Sequence, residues 1–174
     1  MLLVRAAQSA DAPSLARIHV SAWQVGYRGI MPNDFLDTLS VSERETMWRQ
    51  TLERVSGDRT ILVAEDDGTV VGFAGGGPAL RPPDHGVLEL YVLNVDPQHW
   101  RNGAGGALLD AFVAWTLGRN ARELVLWVAK ENAHARAFYE HRGWFWDGAI
   151  EDNDALGAHV TEYRYRKTID RSPL

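Results

Sequence analysis

The sequence predicts an α+β fold: a mixed, mostly antiparallel sheet of about seven strands flanked by about four helices, in the order β-α-α-β-β-β-α-β-α-β-β. Three observations carry this expectation. β-rich runs alternate with stretches whose apolar residues recur at helical spacing. The dipeptide Asp67-Gly68 lies between two such runs, the signature of a tight hairpin. The run "VLELYVLNV" (87–95) is almost wholly apolar, as a central strand covered on both faces requires.

Taken in order, "LLVRAA" reads as a short strand, and Asp11 as the cap of a helix from about Ala12 to Trp23 with Pro13 in its first turn. Leu15, Ile18, Ala22 and Trp23 give that helix one buried stripe. Gly26, Gly29 and Pro32 break the chain over residues 24–35. Ser42 and Glu45 form a capping box for a second helix that carries Trp48, Leu52 and Val55 on one face. Residues 60–77 form the hairpin, and "RPPDHG" a loop. A helix over "GALLDAFVAWTLGR", a strand over 123–129 and a helix from Asn132 to about Arg142 follow the central strand. "GWFWDG" and "HVTEYRYRKTI" close the chain as strands, the last with a half-exposed alternation. No repeat or linker interrupts this order, so residues 1–170 are expected to form one domain.

Composition narrows the function. At 174 residues the chain can bury a substantial core, and 45% hydrophobic with 24% charged residues is ordinary for a globular protein. A net charge of −5 gives no basic field for nucleic acid or an anionic membrane, so neither is an expected partner. With no cysteine, disulfides and a thiol nucleophile are excluded, and a cytoplasmic location is expected. No secretory signal is evident, and no apolar run approaches the ~18 residues of a membrane span. His85, His99, His134 and His141 lack ligand spacing with carboxylates, so no metal is expected. Seven tryptophans point to a thick aromatic core or an aromatic-lined pocket.

Between the central strand and the next helix lies "DPQHWRNGAGGALL" (96–109), where Gly103-Ala104-Gly105-Gly106 has almost no side chains. Bare backbone N–H groups at a helix N-terminus make an anion site. The alternative is small residues for close helix–sheet packing. A P-loop is excluded because Ala107 and Leu108 follow Gly106 in place of Lys and Ser or Thr. The dinucleotide fingerprint is excluded because Leu108 stands where its third glycine belongs. "VDPQHWRNGAGGALL" resembles the acyl-CoA-binding signature of the GCN5-related N-acetyltransferases (GNAT), and "NAHARAFYEHRGW" (132–144) resembles that family's second signature. Trp100 stands where the family usually has Gln or Arg, with Arg101 adjacent.

The resemblance implies a GNAT-like fold and an acyl-CoA-dependent N-acetyltransferase that uses acetyl-CoA as cosubstrate and a primary amine as acceptor. It implies that backbone groups of Leu93, Asn94 and Val95 pair with the pantetheine arm as an added strand. Arg101, Asn102, Gly103, Ala104, Gly105 and Gly106 would hold the pyrophosphate, and Asn132 the pantetheine end. Arg136 would reach a phosphate, or be a solvated helix arginine. Tyr139 matches the family's acid to the leaving thiolate, its alternative being a core aromatic beside Phe138. Glu89, interrupting an apolar strand where the histone-acetylating branch carries its base, is the base candidate, directly or through water; its alternative is a structural carboxylate. Trp127 occupies the family's second base position and takes no proton. The Val95 N–H is the expected donor to the thioester oxygen. Trp23, Tyr27 and Trp127 are candidates for the acceptor wall. The resemblance and the tryptophans together point to a homodimer. Two other outcomes stay open here: a CoA-binding sensor without catalysis, and a transferase for a bulkier acyl group.

Overall fold

The structure, a computed structural model, describes residues 1–55, 57–81, 86–119, 121–154 and 157–169. The chain runs β1 (Leu2–Ala6), α1 (Ala12–Gly26), α2 (Asn33–Asp37), α3 (Val41–Arg54), β2 (Thr60–Asp66), β3 (Thr69–Pro78) and β4 (Val87–Val95). It continues with α4 (Ala104–Leu117), β5 (Glu123–Ala129), α5 (Ala133–Glu140), β6 (Phe145–Asn153) and β7 (Val160–Thr168). One sheet takes all seven strands in the order β1-β2-β3-β4-β5-β7-β6. Only β4 and β5 pair in parallel, so the mixed, mostly antiparallel sheet is as expected.

Local signals were obeyed where they were unopposed. Asp67 (φ 47°) and Gly68 (φ 80°) both take positive φ, the geometry of a two-residue hairpin turn. Three expectations need correction. Asp11 does not cap α1: its carboxylate takes the Gln8 N–H (2.7 Å) and both Arg5 Nη atoms (2.8 and 3.0 Å), tying β1 to the start of the helix. The cap of α3 is Ser40, which accepts from the Glu43 N–H at 3.3 Å, not Ser42. The same Ser-x-x-Glu spacing occurs at both positions, and the upstream one adds helix without losing a cap. The segment 24–35 is not all irregular. Helix α1 runs on to Gly26, and α2 starts within the segment, making five helices among the described residues where about four were expected.

The sheet is covered on both faces. On one face Leu90, Val95 and Leu126 of the sheet pack with Leu108 and Phe112 of α4 and Tyr139 of α5 in one continuous core. On the other, Val63 and Phe73 pack with Leu15 and Ile18 of α1 and Trp48 of α3. A smaller cluster joins Met31 and Leu36 to Ala129 and Val160. No helix among the described residues is long and apolar enough to cross a membrane.

His19 makes the α1 side acid-sensitive. Its ring lies among Trp23, Trp48 and Phe73, and Nδ1 accepts from the Trp48 indole at 3.2 Å. Burial, then Arg44, pushes its pKa down to about 4. Between about 6.5, the ordinary value, and about 4 the unfolded chain therefore binds a proton that the folded chain refuses. Stability is expected to fall across that window as pH drops, by on the order of 3 kcal/mol. Thermal unfolding against pH measures this. His19→Gln, which keeps an acceptor for the indole, should flatten the acid limb; an unchanged limb would place the sensitivity elsewhere.

Candidate active site

The site begins with a fault in the sheet. β4 and β5 pair only from Val87–Glu123 to Leu90–Leu126. There β4 bulges: Gly75 of β3 faces Val92 while Gly76 faces Leu90. Beyond the bulge residues 92–95 keep only β3 as partner, and residues 127–129 keep only β7. The strands part into a wedge, and a cleft of about 610 Å³ occupies it. The Asp96 N–H bonds Val71 O on the β3 side. By the alternation of an antiparallel ladder, the backbone groups of Leu93 and Val95 face the cleft and those of Asn94 face β3. Asn94 reaches the cleft with its side chain, whose buried Nδ2 has no partner among the described residues.

The glycine loop closes one end. Gly103 has φ +88° with open space where a Cβ would stand, and Arg101 also sits at positive φ (64°). The first N–H groups of α4 have no acceptor within the helix, because bonding starts with Ala107 N–H to Gly103 O at 3.0 Å. Arg101, Gly103, Gly105 and Gly106 line the cleft; Ala104 is buried in the core and Asn102 is exposed. Gly106 has a second use. A Cβ there would lie 1.9 Å from Arg142 Nη2, so its absence admits a guanidinium held by Asp110 at 3.0 and 3.2 Å. Arg142 lines the cleft and was not singled out from the sequence; a cation three residues after Tyr139 was the available signal. Trp100 Nε1 donates to Val95 O at 2.7 Å and its ring stacks on His134, so it seals the corner between β4 and α5.

The remaining candidates divide by face. Along β5, Leu126 and Val128 enter the α4–α5 core with Tyr139, while Ala129 joins the α2 side. Tyr139 lines the cleft, packed against Phe138 and Trp144, and burial, then Tyr27, raises its pKa so that it stays protonated across the neutral range. Asn132 lines the cleft while its Oδ1 caps α5 at the Ala135 N–H, 3.0 Å away. Arg136 does not line it; its guanidinium lies over the Tyr163 ring at 5.7 Å.

Glu89 is buried at 4% exposure, accepts the Leu80 N–H at 2.8 Å, and is not on the cleft wall. Burial raises its pKa. Trp127 is on the wall, with the guanidinium carbons of Arg81 and Arg164 at 4.8 and 5.6 Å from its ring centroid. Trp23 and Tyr27 face the same space, and burial, then Glu162, pushes the Tyr27 phenol up to about 12. Glu162 itself lines the cleft and was missed. His99 and His134 line the cleft; His141 is exposed and bonds Ala137 O, and His85 lies outside the described residues.

This geometry offers an extended-chain edge, a run of unengaged N–H groups for an anion, and a protonated phenol on the wall of the same cleft. Residues 23–144 match the acetyltransferase (GNAT) family. The chain is 32% identical over 133 residues to a Bacillus subtilis protein named the uncharacterized N-acetyltransferase YuaI, covering 76% of this chain and 74% of that one. To a Mycobacterium tuberculosis protein named as an N-acetyltransferase it is 30% identical over 94% of this chain and 91% of that one. Its fold matches that of the PaiA N-acetyltransferase of Thermoplasma acidophilum, solved in complex with coenzyme A, at a TM-score of 0.76 and 19% identity, covering 97% of this chain and 99% of that one. The chain belongs to the acetyltransferase (GNAT) family, the acyl-CoA-dependent N-acetyltransferases.

Proposed function

We propose that residues 1–170, as one domain, move an acetyl group from acetyl-CoA directly to a primary amine in a ternary complex. The observation that carries this reading is the wedge between β4 and β5, with the glycine loop at one end and Tyr139 on its wall. The pyrophosphate would rest on the α4 N-terminus from Gly103 to Gly106, with Arg101 and Arg142 supplying positive charge. The pantetheine arm would pair with the backbone of Leu93 and Val95, near Asn132. Because Trp100 holds Val95 O, the Val95 N–H is what that residue has left to offer the thioester oxygen. A phenol that stays protonated at neutral pH can give its proton to a departing thiolate, and Tyr139 takes that role. Glu89, behind the wall and bonded to Leu80, would receive the amine's proton only through an intermediary such as water.

Calorimetric titration with acetyl-CoA, CoA and dephospho-CoA, alongside thiol release against a panel of amines, tests this. The expected result is binding of CoA and acetyl-CoA together with thiol release that an amine accelerates. Binding without release for any amine would leave a CoA-sensing module. No binding would overturn the assignment of residues 93–106.

A further inference from the structure

Acyl transfer needs an acid beside the sulfur and a proton acceptor beside the nitrogen, on opposite sides of the carbon that changes hands. The parted sheet supplies two such sides. Tyr139 belongs to the α4–α5 face. In register with β5, Glu162 of β7 pairs with Ala129, and Arg164 with Trp127, so Glu162 shares the opposite face with Trp127.

Glu162 is 6% exposed and on the cleft wall. It accepts from Asn153 Nδ2 at 2.9 Å and from Arg81 Nη2 at 3.2 Å, and both bonds land on Oε2. Oε1 has no hydrogen-bond partner among the described residues. The charged and titratable groups around it come from every neighbouring element: Arg81 after β3, Glu89 of β4, Tyr27 at the end of α1, and Glu151 of β6. Arg81 is shared between Glu162 and Glu151, while Glu89 lies within reach of both carboxylates and of the same guanidinium. Three carboxylates stand around Arg81, while Arg164 on the same face is held by Asp147, so the acceptor side carries an excess of negative charge.

We infer that Glu162 Oε1 contacts the incoming ammonium group and takes its first proton, so that the acceptor enters as a cationic alkyl amine. The inference rests on the acetyl-transfer reading and names the group that faces its acceptor. The nitrogen loses two protons in the reaction. The first goes to Glu162, which lines the cleft, in place of Glu89, which does not, and then on to solvent, freeing the lone pair that attacks the acyl carbon. The C–N bond forms and the C–S bond breaks with its electron pair on sulfur. Tyr139 protonates that sulfur, and the second nitrogen proton restores the phenol. Nothing else is consumed.

The test uses the full chain with Glu162→Gln and Glu162→Asp, at saturating acetyl-CoA and varied amine. Glu162→Gln keeps an acceptor for Asn153 and Arg81, and CoA binding by calorimetry reports that the fold and the cofactor side are intact. The expected result is unchanged CoA affinity with kcat/KM for the amine about 10²-fold lower in the Gln variant, through kcat as well as KM, and loss of the acid limb of the pH profile. The Asp variant should recover part of the loss. If both variants stay within about threefold of the parent with an unmoved pH profile, Glu162 is not the amine's partner. If the parent chain itself shows no amine-stimulated thiol release, the acetyl-transfer reading fails first, and the two failures are thereby distinct.

Discussion

Tyr139→Phe is expected to keep its affinity for CoA and to lose kcat by a factor of about 10²–10⁴, which is about 3–5 kcal/mol of barrier. The substitution removes one oxygen and leaves the ring that packs on Phe138 and Trp144 with centroids 5.2 and 6.2 Å away, so the unfolding midpoint should stay near that of the parent. The burial that holds the phenol protonated also makes a free phenolate costly. Tyr139 can therefore surrender its proton to sulfur only as it regains one from nitrogen, and raising the pH should not rescue the Phe variant. Single-turnover thiol release, which isolates the chemical step from product release, is the measurement. Unchanged turnover at every pH would remove Tyr139 from the acid role and leave it a core aromatic.

The contrast between Tyr139 and Glu162 shows what the sequence could convey. Tyr139 stands in a contiguous motif on one short helix, and the glycines of 103–106 stand at a strand-to-helix junction, so both carry their meaning within a dozen residues. The hairpin at Asp67-Gly68 is legible for the same reason. Glu162 sits in "HVTEYRYRKTI", whose alternation reads as a half-exposed strand. Its place on the cleft wall depends on Arg81, 81 positions earlier, which bonds its carboxylate, and on the parting of β4 from β5. Glu89 was conspicuous as a carboxylate in an apolar run, but which face it takes depends on the bulge, and its Leu80 partner lies in a turn with no pattern of its own. Helix α2 spans five residues, too few to show a period. Trp100 looked like a missing cation, because its bond to the Val95 carbonyl exists only once β4 has lost its β5 partner.

Gly76→Ala is expected to cost about 3 kcal/mol or more of stability and to weaken CoA binding with it. A Cβ at Gly76 would stand 2.4 Å from the backbone oxygen of Glu89 and 2.4 Å from Phe112 Cε2. Neither neighbour can yield cheaply: the first is part of the β3–β4 ladder, and the second is a fully buried ring of α4. Moving either one moves a wall of the cleft, since β4 bears Leu93 and Val95 and α4 bears the glycine loop. Gly75→Ala is the control. There the nearest atom, at 3.3 Å, is Val92 Cγ1, the end of a side chain that can adjust, so the cost should stay below about 1 kcal/mol. Urea denaturation of the two variants, with CoA titration of each, separates a general intolerance of β3 from the specific need for a bare backbone at the bulge. Equal losses at Gly75 and Gly76 would mean that the strand, and not the bulge that parts β4 from β5, sets the requirement. A larger loss at Gly76 would tie the requirement to the bulge, where a Cβ meets both the backbone of β4 and a buried ring of α4.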